Sequence, residues 1–373
     1  MRQMRVRLVD PPAYTPPYDH ALAGALALAG ARVELVTSRP TYEPLTAPPG
    51  VALREDFYRR AMARRRSTGA RRALRLAEHV PDMVRHRDEG RDADVVHYQW
   101  LTLEALDAFL LARGAPRVFT SHNVLRRGTG RVREQAARLV VARCDAVIAH
   151  TAAGGRALVE RFGADPARVH VIPHGAFEGL ARQPAETPLE PSLAAVEGPV
   201  VLCFGVLRPY KGVDVLLEAF RELDEGAELW IVGRPWMDVA PLRRAAAAAR
   251  GTVRFVDRYV ADAELPALFR RADVVVLPYR HIDQSGVLYT ALAFGKAMVL
   301  SDVGGFSEVA REHGAAELFP AGDPDALRAA LERLLSDPQA RTQLERRADA
   351  AAAGPYSWAD IARRTLALYG ELT

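Results

Sequence analysis

The sequence predicts an α/β protein built from two domains, each with a parallel sheet. Short apolar runs alternate with amphipathic runs along most of the 373 residues, and parallel strands require helical crossovers between them. The length exceeds that of one typical domain. Residues 181–199 hold four prolines and no periodicity, so we place a linker at 183–198 between domains 1–182 and 199–355. Residues 356–373 form a last helix.

The first domain begins with a strand–loop–helix–strand unit. We predict strand 5–10, a proline-rich loop over 11–18 that is not helical, and a helix over 20–30 capped by Asp19. No GxGxxG fingerprint follows the first strand, so a dinucleotide is not indicated. The remaining predicted strands of this domain cover residues 31–38, 94–100, 117–123, 144–150 and 168–175.

Polar side chains follow several of these strands. His97 and Gln99 end one strand, His122 ends the next, and His174 ends the last. Carboxyl ends of parallel strands meet at one edge of the sheet, where open α/β proteins bind ligands. The pattern favours a site at this edge, although a single histidine there is more often structural.

Residues 54–75 form a basic stretch, with nine arginines separated by Phe57, Tyr58, Met62 and Leu74. Read as a helix, it fits either an anionic membrane surface or a solvated face rich in arginine. Nucleic acid attracts the same charge, but no nucleic-acid module accompanies the stretch, so we expect none as a partner.

The second domain repeats the alternation, and its first turn carries two cations. Gly205 allows a sharp turn after an apolar strand, and Arg208 and Lys211 follow in FGVLRPYKG. Lys211 and Lys296 are the only lysines, so a Lys here is not filler for a generic charge. Two cations at a strand end indicate an anion such as a diphosphate. The predicted strands are 199–204, 227–232, 252–256, 272–278, 297–301 and 315–319.

A second anion-binding element is predicted at Gly286. An apolar helix begins there, so the amides near Ser285, Gly286 and Val287 point at solvent. A phosphate group bound at this helix end would complement the cations of the first turn.

FGVLRPYKGVDVLLEAF resembles the phosphate-binding loop of the family 4 retaining glycosyltransferases, and the resemblance continues along most of the chain. It implies the GT-B fold: two Rossmann-like domains facing a central cleft, with YSWADIARRTLALY as the terminal helix that crosses back to the N-terminal domain. It also implies transfer of a sugar from a nucleotide-sugar donor to an acceptor hydroxyl, with retention at the anomeric carbon.

The resemblance assigns roles to particular residues. His122 lies beside the reacting sugar, Arg208 and Lys211 neutralise the leaving diphosphate with Gly205 at their turn, and Tyr259 and Val260 read the base. Tyr18 and Asp19 face the acceptor, as does Tyr14.

The family's paired glutamates are only partly matched. Thr290 occupies the position of the second, which binds the donor ribose, and Asp283 or Gln284 lies near the first and would hold sugar hydroxyls. This substitution leaves the identity of the donor open.

The composition completes these expectations. We expect no cofactor other than the donor substrate. We also expect no metal ion, because no DxD metal site is apparent and Asp92-Ala93-Asp94 precedes a strand at the wrong end for a ligand. Cys144 and Cys203 lie in apolar runs, which is typical of buried thiols in a reducing compartment. We therefore expect a cytoplasmic protein, with peripheral contact at the inner membrane face if residues 54–75 bind lipid. Two alternatives stay open: a GT-B sugar-nucleotide epimerase, or a non-catalytic nucleotide-binding relative.

Overall fold

The computed structural model describes residues 2–40, 46–62, 68–124, 130–183, 187–223 and 226–373. The chain divides into two compact units. Unit 1 is Met1–Gly175 with Trp358–Thr373, and unit 2 is Ala176–Ser357. The boundaries expected from the sequence were residues 182 and 355.

Within its described residues, unit 1 contains a seven-stranded parallel sheet ordered β3-β2-β1-β4-β5-β6-β7. Its strands are β1 (Arg5–Asp10), β2 (Arg32–Ser38), β3 (Val51–Phe57), β4 (Val95–Tyr98), β5 (Arg117–Ser121), β6 (Ala146–Ala149) and β7 (Val169–Val171). Its helices are α1 (Pro16–Leu28), α2 (Arg59–Met62), α3 (Thr68–Glu89), α4 (Glu104–Leu110), α5 (Arg131–Arg143), α6 (Ala152–Glu160) and, at the end of the chain, α16 (Trp358–Leu372).

Unit 2 contains a six-stranded parallel sheet ordered β10-β9-β8-β11-β12-β13, again within the described part of the chain. Its strands are β8 (Val200–Phe204), β9 (Glu228–Val232), β10 (Val253–Val256), β11 (Val274–Leu277), β12 (Ala297–Ser301) and β13 (Glu317–Phe319). Its helices are α7 (Glu178–Ala181), α8 (Pro191–Ala194), α9 (Val213–Phe220), α10 (Ala240–Ala246), α11 (Leu265–Arg271), α12 (Gly286–Ala293), α13 (Gly304–His313), α14 (Pro324–Ser336) and α15 (Pro338–Ala353).

These two α/β units confirm the predicted fold class, and each sheet has a switch point that can hold a ligand. In unit 1 the strand order reverses between β1 and β4, and in unit 2 between β8 and β11. Ligands of open α/β sheets bind outside the carboxyl ends of the strands at such points. Helix α16 packs on α1 within unit 1, where Ile361 and Tyr369 are buried beside Leu22, as the predicted return of the last helix requires.

The helices of unit 1 begin in different ways. Thr151 caps α6, since its hydroxyl accepts the Gly154 N–H at 2.9 Å. The predicted loop over residues 11–18 is wrong at its end, because α1 begins at Pro16. Prolines are tolerated in the first helical turn, where the missing N–H has no intrahelical acceptor.

The basic stretch forms the predicted helix only in part, because residues 59–62 and those from 68 on are helical and its first residues are not. Residues 51–57 are strand β3 at the edge of the sheet, and Phe57 and Tyr58 are buried rather than presented to lipid. Arg54 pairs with carboxylates, lying 3.1 Å from Glu34 and 2.9 Å from Glu89. Arg64, Arg65 and Arg66 lie outside the described residues. The charges of β3 therefore bind one another instead of forming a continuous basic face.

The expected linker is only partly irregular. Residues 191–194 form helix α8, and Leu193 is buried in the core of unit 2. Residues 184–186 lie outside the described part of the chain. The prolines that suggested a linker therefore also start a short helix that packs on unit 2.

Candidate functional site

The turn after β8 is built from two glycines that touch. Gly205 has a φ of 110°, a conformation that favours glycine, and its N–H donates to the Val232 carbonyl at 2.9 Å. Gly233, after β9, approaches so closely that a Cβ there would lie 2.3 Å from the Gly205 carbonyl oxygen. Only glycines fit this crossing, and the turn leads the chain to the switch point of unit 2.

Lys211 lies at that switch point with its side chain buried. Its Nζ donates to the Tyr279 hydroxyl at 2.6 Å, and Tyr279 follows β11, the strand on the other side of the switch point. Lys211 has no carboxylate partner among the described residues. Burial lowers its pKa, and the nearby Arg208 adds to that effect. The ammonium therefore lacks a counterion.

Arg208 is the second cation without a carboxylate partner in the described part of the chain. Its guanidinium lies 4.3 Å from the centre of the Trp236 ring, a cation–π contact. Some arginines of unit 2 are neutralised by carboxylates, as in the pairs Arg254–Glu228 and Arg280–Asp214. Arg208 is not, and it lies close enough to the buried Lys211 to affect the pKa of that lysine, so the two cations together favour an anion.

The first turn of α12 also lies at the switch point of unit 2, beside Lys211. The Ser285 hydroxyl does not cap the helix and lies 3.4 Å from the Tyr279 hydroxyl. A Cβ built on Gly205 would lie 2.8 Å from Lys211 Nζ and 3.2 Å from Val287 Cγ2. The structure thus brings Gly205, Lys211 and the residues Ser285, Gly286 and Val287 together, and the helix N-terminus adds partial positive charge.

The residues before α12 differ in what they offer a ligand. The Gln284 side-chain oxygen is enclosed and has no hydrogen-bond partner among the described residues, so it can accept from a hydroxyl. Asp283 is buried, and its carbonyl accepts the Gly305 N–H at 2.8 Å. Gly304 packs against this segment, where a Cβ would lie 2.0 Å from the Ile282 carbonyl oxygen.

The residues expected to bind the nucleoside have few side-chain groups available for it. Thr290 is 6% exposed, and its hydroxyl donates to the Gly286 carbonyl at 3.0 Å inside the helix. It retains only a lone pair with which to accept from a ribose hydroxyl, and the ribose role stays a prediction. Tyr259 is exposed, whereas the Val260 side chain is buried, which leaves its backbone to read a base.

Lys296 differs from its expected place. The sequence suggests an exposed lysine in the turn before β12, but its Nζ donates to the Arg270 and Ala272 carbonyls at 3.1 and 2.8 Å. These carbonyls end α11, where a cation stabilises the last turn. Lys296 is therefore a structural cap.

In unit 1 the strand-end histidines form one buried series. His122 Nε2 lies 3.1 Å from the Gln99 amide, and His122 Nδ1 lies 3.1 Å from His150 Nε2. The Gln99 amide also lies 3.3 Å from His97 Nε2, and His97 Nδ1 lies 2.6 Å from the Tyr369 hydroxyl of α16. Burial lowers the pKa of His97 to about 3 and that of His150 to about 4. Both rings are therefore neutral at physiological pH.

His122 itself is enclosed on both faces. The Trp100 ring stacks on it with centroids 4.9 Å apart, and the Tyr18 ring meets it edge-on at 4.8 Å. Burial lowers the pKa of His122 well below its ordinary value. With both ring nitrogens engaged, the ring has no group left for a substrate, and any contact with the reacting sugar falls to its backbone. That role stays a prediction.

The residues expected at the acceptor are buried. Tyr18 and Asp19 are 3% and 2% exposed, so an acceptor would reach them only after the structure opens, and their role stays a prediction. Tyr14, in the loop before α1, is 56% exposed and lies 4.6 Å from the Trp100 ring centre. Asp19 instead shares a hydrogen bond with Asp10 at the end of β1, and burial raises the pKa of both carboxyls.

Sequence reasoning missed Asp10 and Tyr279. Both stand at or just after the carboxyl end of a strand that borders a switch point, so position alone could have found them. Among the described residues there is no group of three or more His, Cys, Asp or Glu side chains that could hold a metal ion. No helix described here is long and apolar enough to cross a bilayer.

Known proteins match this chain in sequence and in structure. The family model for glycosyltransferase family 4 matches residues 18–176, and the model for glycosyl transferases group 1 matches residues 198–337. A relative from Xylanimonas cellulosilytica, named D-inositol 3-phosphate glycosyltransferase, is 32% identical over 77% of this chain and 74% of its own.

Two solved structures share the fold. HepE of Anabaena, in complex with UDP and glucose, superimposes with a TM-score of 0.73 at 18% identity, over 99% of this chain and 100% of its own. Sucrose-phosphate synthase of Thermosynechococcus elongatus gives 0.75 at 20% identity, over 99% of both chains. With a sequence relative above 30% identity and the GT-B fold, the chain belongs to the family 4 glycosyltransferases, as its phosphate-binding loop predicted.

Proposed function

We propose that this glycosyltransferase moves a sugar from a nucleoside diphosphate sugar to an acceptor hydroxyl, with retention at the anomeric carbon and without a metal ion. The observation that carries the proposal is the pair Arg208 and Lys211, two cations without carboxylate partners in the described chain, beside the first turn of α12. Two phosphate groups supply the charge that this place lacks.

The same groups explain how the leaving group departs. As the bond from the sugar to the diphosphate breaks, negative charge grows on the phosphate oxygens. Lys211, fixed by the Tyr279 hydroxyl, and Arg208, fixed by the Trp236 ring, stabilise that charge without rearranging. In this proposal the two cations do the work that a divalent ion does in other transferases.

The donor sugar and nucleoside are assigned to neighbouring residues. We place the sugar hydroxyls at the unpartnered Gln284 oxygen rather than at Asp283. We place the base at the backbone of Tyr259–Val260 and a ribose hydroxyl at Thr290 Oγ1. HepE was solved with UDP and glucose, so UDP-glucose is the first donor to test.

Retention is supported by the lack of a free base among the candidate residues of unit 1. Inverting transfer needs a general base for the acceptor hydroxyl. His122 has both ring nitrogens engaged, and burial holds the pKa of Asp19 well above its ordinary value, which favours its protonated form. A front-face reaction, in which the leaving phosphate accepts the proton, needs no such base.

The acceptor is proposed as a small polyhydroxylated molecule. The relative named for D-inositol 3-phosphate makes that compound the first acceptor to test, with the exposed Tyr14 as a candidate contact. Contact of residues 54–75 with an anionic membrane stays a prediction with reduced support, because Phe57 and Tyr58 are buried. Sedimentation of the protein with anionic and neutral vesicles tests this contact.

The proposal is tested by calorimetry followed by product analysis. UDP, GDP and ADP are titrated into the wild type, Lys211→Met and a control, Arg244→Met, which alters an exposed arginine of α10. One nucleotide should bind the wild type and the control alike and Lys211→Met more weakly. UDP-glucose with D-inositol 3-phosphate should then yield a product with retained configuration, undiminished by EDTA. Absence of binding at about 1 mM, an inverted product, or activity lost to EDTA would overturn it.

A further inference from the structure

Helix α3 buries polar side chains beside apolar ones. Met83 lies in the core of unit 1, and His79, Asp82 and His86 point inward as well and are buried. Within this polar layer, His79 Nδ1 lies 2.8 Å from the Tyr58 hydroxyl, and His79 Nε2 lies 2.5 Å from Asp107. Amphipathic surface helices normally turn a polar face to water, so exposed apolar residues on the outward face of α3 require an explanation.

The outward face carries two adjoining rows of exposed residues spaced four apart. One row is Ala73, Ala77, Pro81 and Arg85, and the other, which we call the α3 ridge, is Arg72, Leu76, Val80, Val84 and Asp88. Leu76 is 59% exposed, Val80 40% and Val84 42%. Residues four apart lie on one face of a helix. Neither Arg72 nor Asp88 has an ion pair with any described residue. The ridge is thus apolar in the middle, with opposite charges at its two ends that the described chain leaves unpaired.

This pattern is self-complementary. When two such ridges run antiparallel about a two-fold axis at Val80, Leu76 meets Val84 of the partner subunit. Arg72 then meets Asp88 of the partner subunit at both ends. Closed dimers require such an isologous surface, in which residue i contacts j and j contacts i, and rows spaced four apart pack helices together.

We propose that the α3 ridge is the interface between two copies of this chain, which form an antiparallel, two-fold dimer through it. Its three apolar residues, Leu76, Val80 and Val84, are exposed together. Exposed apolar residues collected on one surface mark an interaction site more than scattered ones do.

The charges favour a second copy over an anionic membrane. An anionic lipid surface attracts a protein face that carries positive charge. The α3 ridge instead carries a positive charge at one end, Arg72, and a negative charge at the other, Asp88. The two occupants respond oppositely to Asp88→Arg. This substitution adds positive charge, which strengthens membrane binding, but in the dimer it sets the introduced guanidinium against Arg72 of the partner subunit, which weakens association.

The experiment measures the mass of the full chain by sedimentation and light scattering up to about 100 μM. The wild type should dimerise. Arg72→Asp and Asp88→Arg should each raise the dimer Kd at least about tenfold, and the double exchange should restore it. Leu76→Glu should give monomers. Leu28→Glu, at an 87% exposed position at the end of α1, is the matched control and should leave the dimer intact. Circular dichroism confirms folding of every variant.

Three results would overturn the proposal. The first is a wild type that stays monomeric at the highest concentration. The second is a double exchange whose dimer Kd is no lower than that of the single variants. The third is a dimer that Leu76→Glu leaves unchanged. Sedimentation with anionic and neutral vesicles runs in parallel. Selective recovery with anionic vesicles, increased by Asp88→Arg, would assign the ridge to a membrane instead.

Discussion

The ammonium of Lys211 is held at 2.6 Å by the hydroxyl of Tyr279, and by no carboxylate of the described chain. A neutral hydroxyl fixes the position of the cation without cancelling its charge, whereas a carboxylate would do both. Burial makes the uncompensated charge costly and lowers the pKa of Lys211. Lys211 and Tyr279 therefore form a positively charged site, and its anion must come from a ligand because the described chain supplies none.

Lys211→Met should lower kcat on the order of 100-fold, the usual cost of losing a preorganised stabiliser of transition-state charge. kcat/KM should fall with it, because the interaction grows as the leaving group departs. Lys211→Arg should recover only part of the loss, since a planar guanidinium does not fit a point-charge site beneath Gly205. Steady-state kinetics with the donor that calorimetry identifies measures both.

The matched control for this series is Arg244→Met, which removes an exposed cation of the same unit and should keep near-normal turnover. Lys296, the other lysine, is unsuitable because it caps the carbonyls of α11. A Lys211→Met enzyme with unchanged kcat and a raised KM would make Lys211 a ground-state binding residue.

The alkaline limb of the pH profile should report Lys211 directly. Burial lowers the pKa of this lysine, so the required ammonium is lost at a pH below that of an ordinary lysine. The limb should appear in kcat/KM, which follows the free enzyme. In Lys211→Arg it should move to higher pH, because a guanidinium remains protonated. An identical limb in both enzymes would assign the titration to another group.

Gly205→Ala should weaken nucleoside diphosphate binding by about tenfold or more, a loss of about 1.4 kcal/mol, because the new side chain displaces the cation that would bind the phosphate. The new Cβ would lie 2.8 Å from Lys211 Nζ, so the ammonium must move. Gly30→Ala is the control, because Gly30 has a φ of 98° and nothing within 4 Å of a Cβ. It carries similar backbone strain and should lose stability without losing affinity, as calorimetry would show. Equal affinities in wild type and Gly205→Ala would contradict the placement of Lys211.

Most of the fold followed from hydrophobic periodicity, and the exception is instructive. Strand β3, VALREDF, carries three charges among its seven residues and lies at the sheet edge. Its Arg54 pairs with Glu34 and Glu89, which a single sequence does not reveal. Tertiary ion pairs thus overrode the apparent basic helix.

Donor-site residues could be predicted where the local sequence determines their role, and could not where the role depends on tertiary packing. A glycine turn with two cations is visible in the sequence, and so is a helix start at Gly286. The Tyr279 partner of Lys211 depends on β11 lying next to β8, which is a topological fact. In the same way, burial of Tyr18 and Asp19 depends on α16, 340 residues further on in the chain by the numbering of Tyr18 and Trp358.

The last prediction concerns Asp10 and Asp19, which meet in the interior of unit 1. Asp10 accepts the Tyr14 N–H at 2.7 Å, which favours its ionised form, whereas Asp19 faces the Asp10 charge. Burial raises the pKa of both carboxyls and raises that of Asp19 well above its ordinary value. We therefore assign the shared proton to Asp19.

The folded chain then keeps a proton that the unfolded chain loses above about pH 4. This contribution to stability is fully present below the unfolded pKa and is lost as pH rises toward the folded pKa, by up to about 1.4 kcal/mol per pH unit. Asp19→Asn needs no proton, and its amide can donate to the Asp10 carboxylate. It should therefore remove this slope and be more stable than wild type near neutral pH, as urea denaturation between about pH 5 and pH 8 would measure. Asp325→Asn, at an exposed position of α14, should keep the wild-type slope. If Asp19→Asn kept it as well, the pair would titrate alike in the folded and unfolded chains, and the shared proton would be excluded.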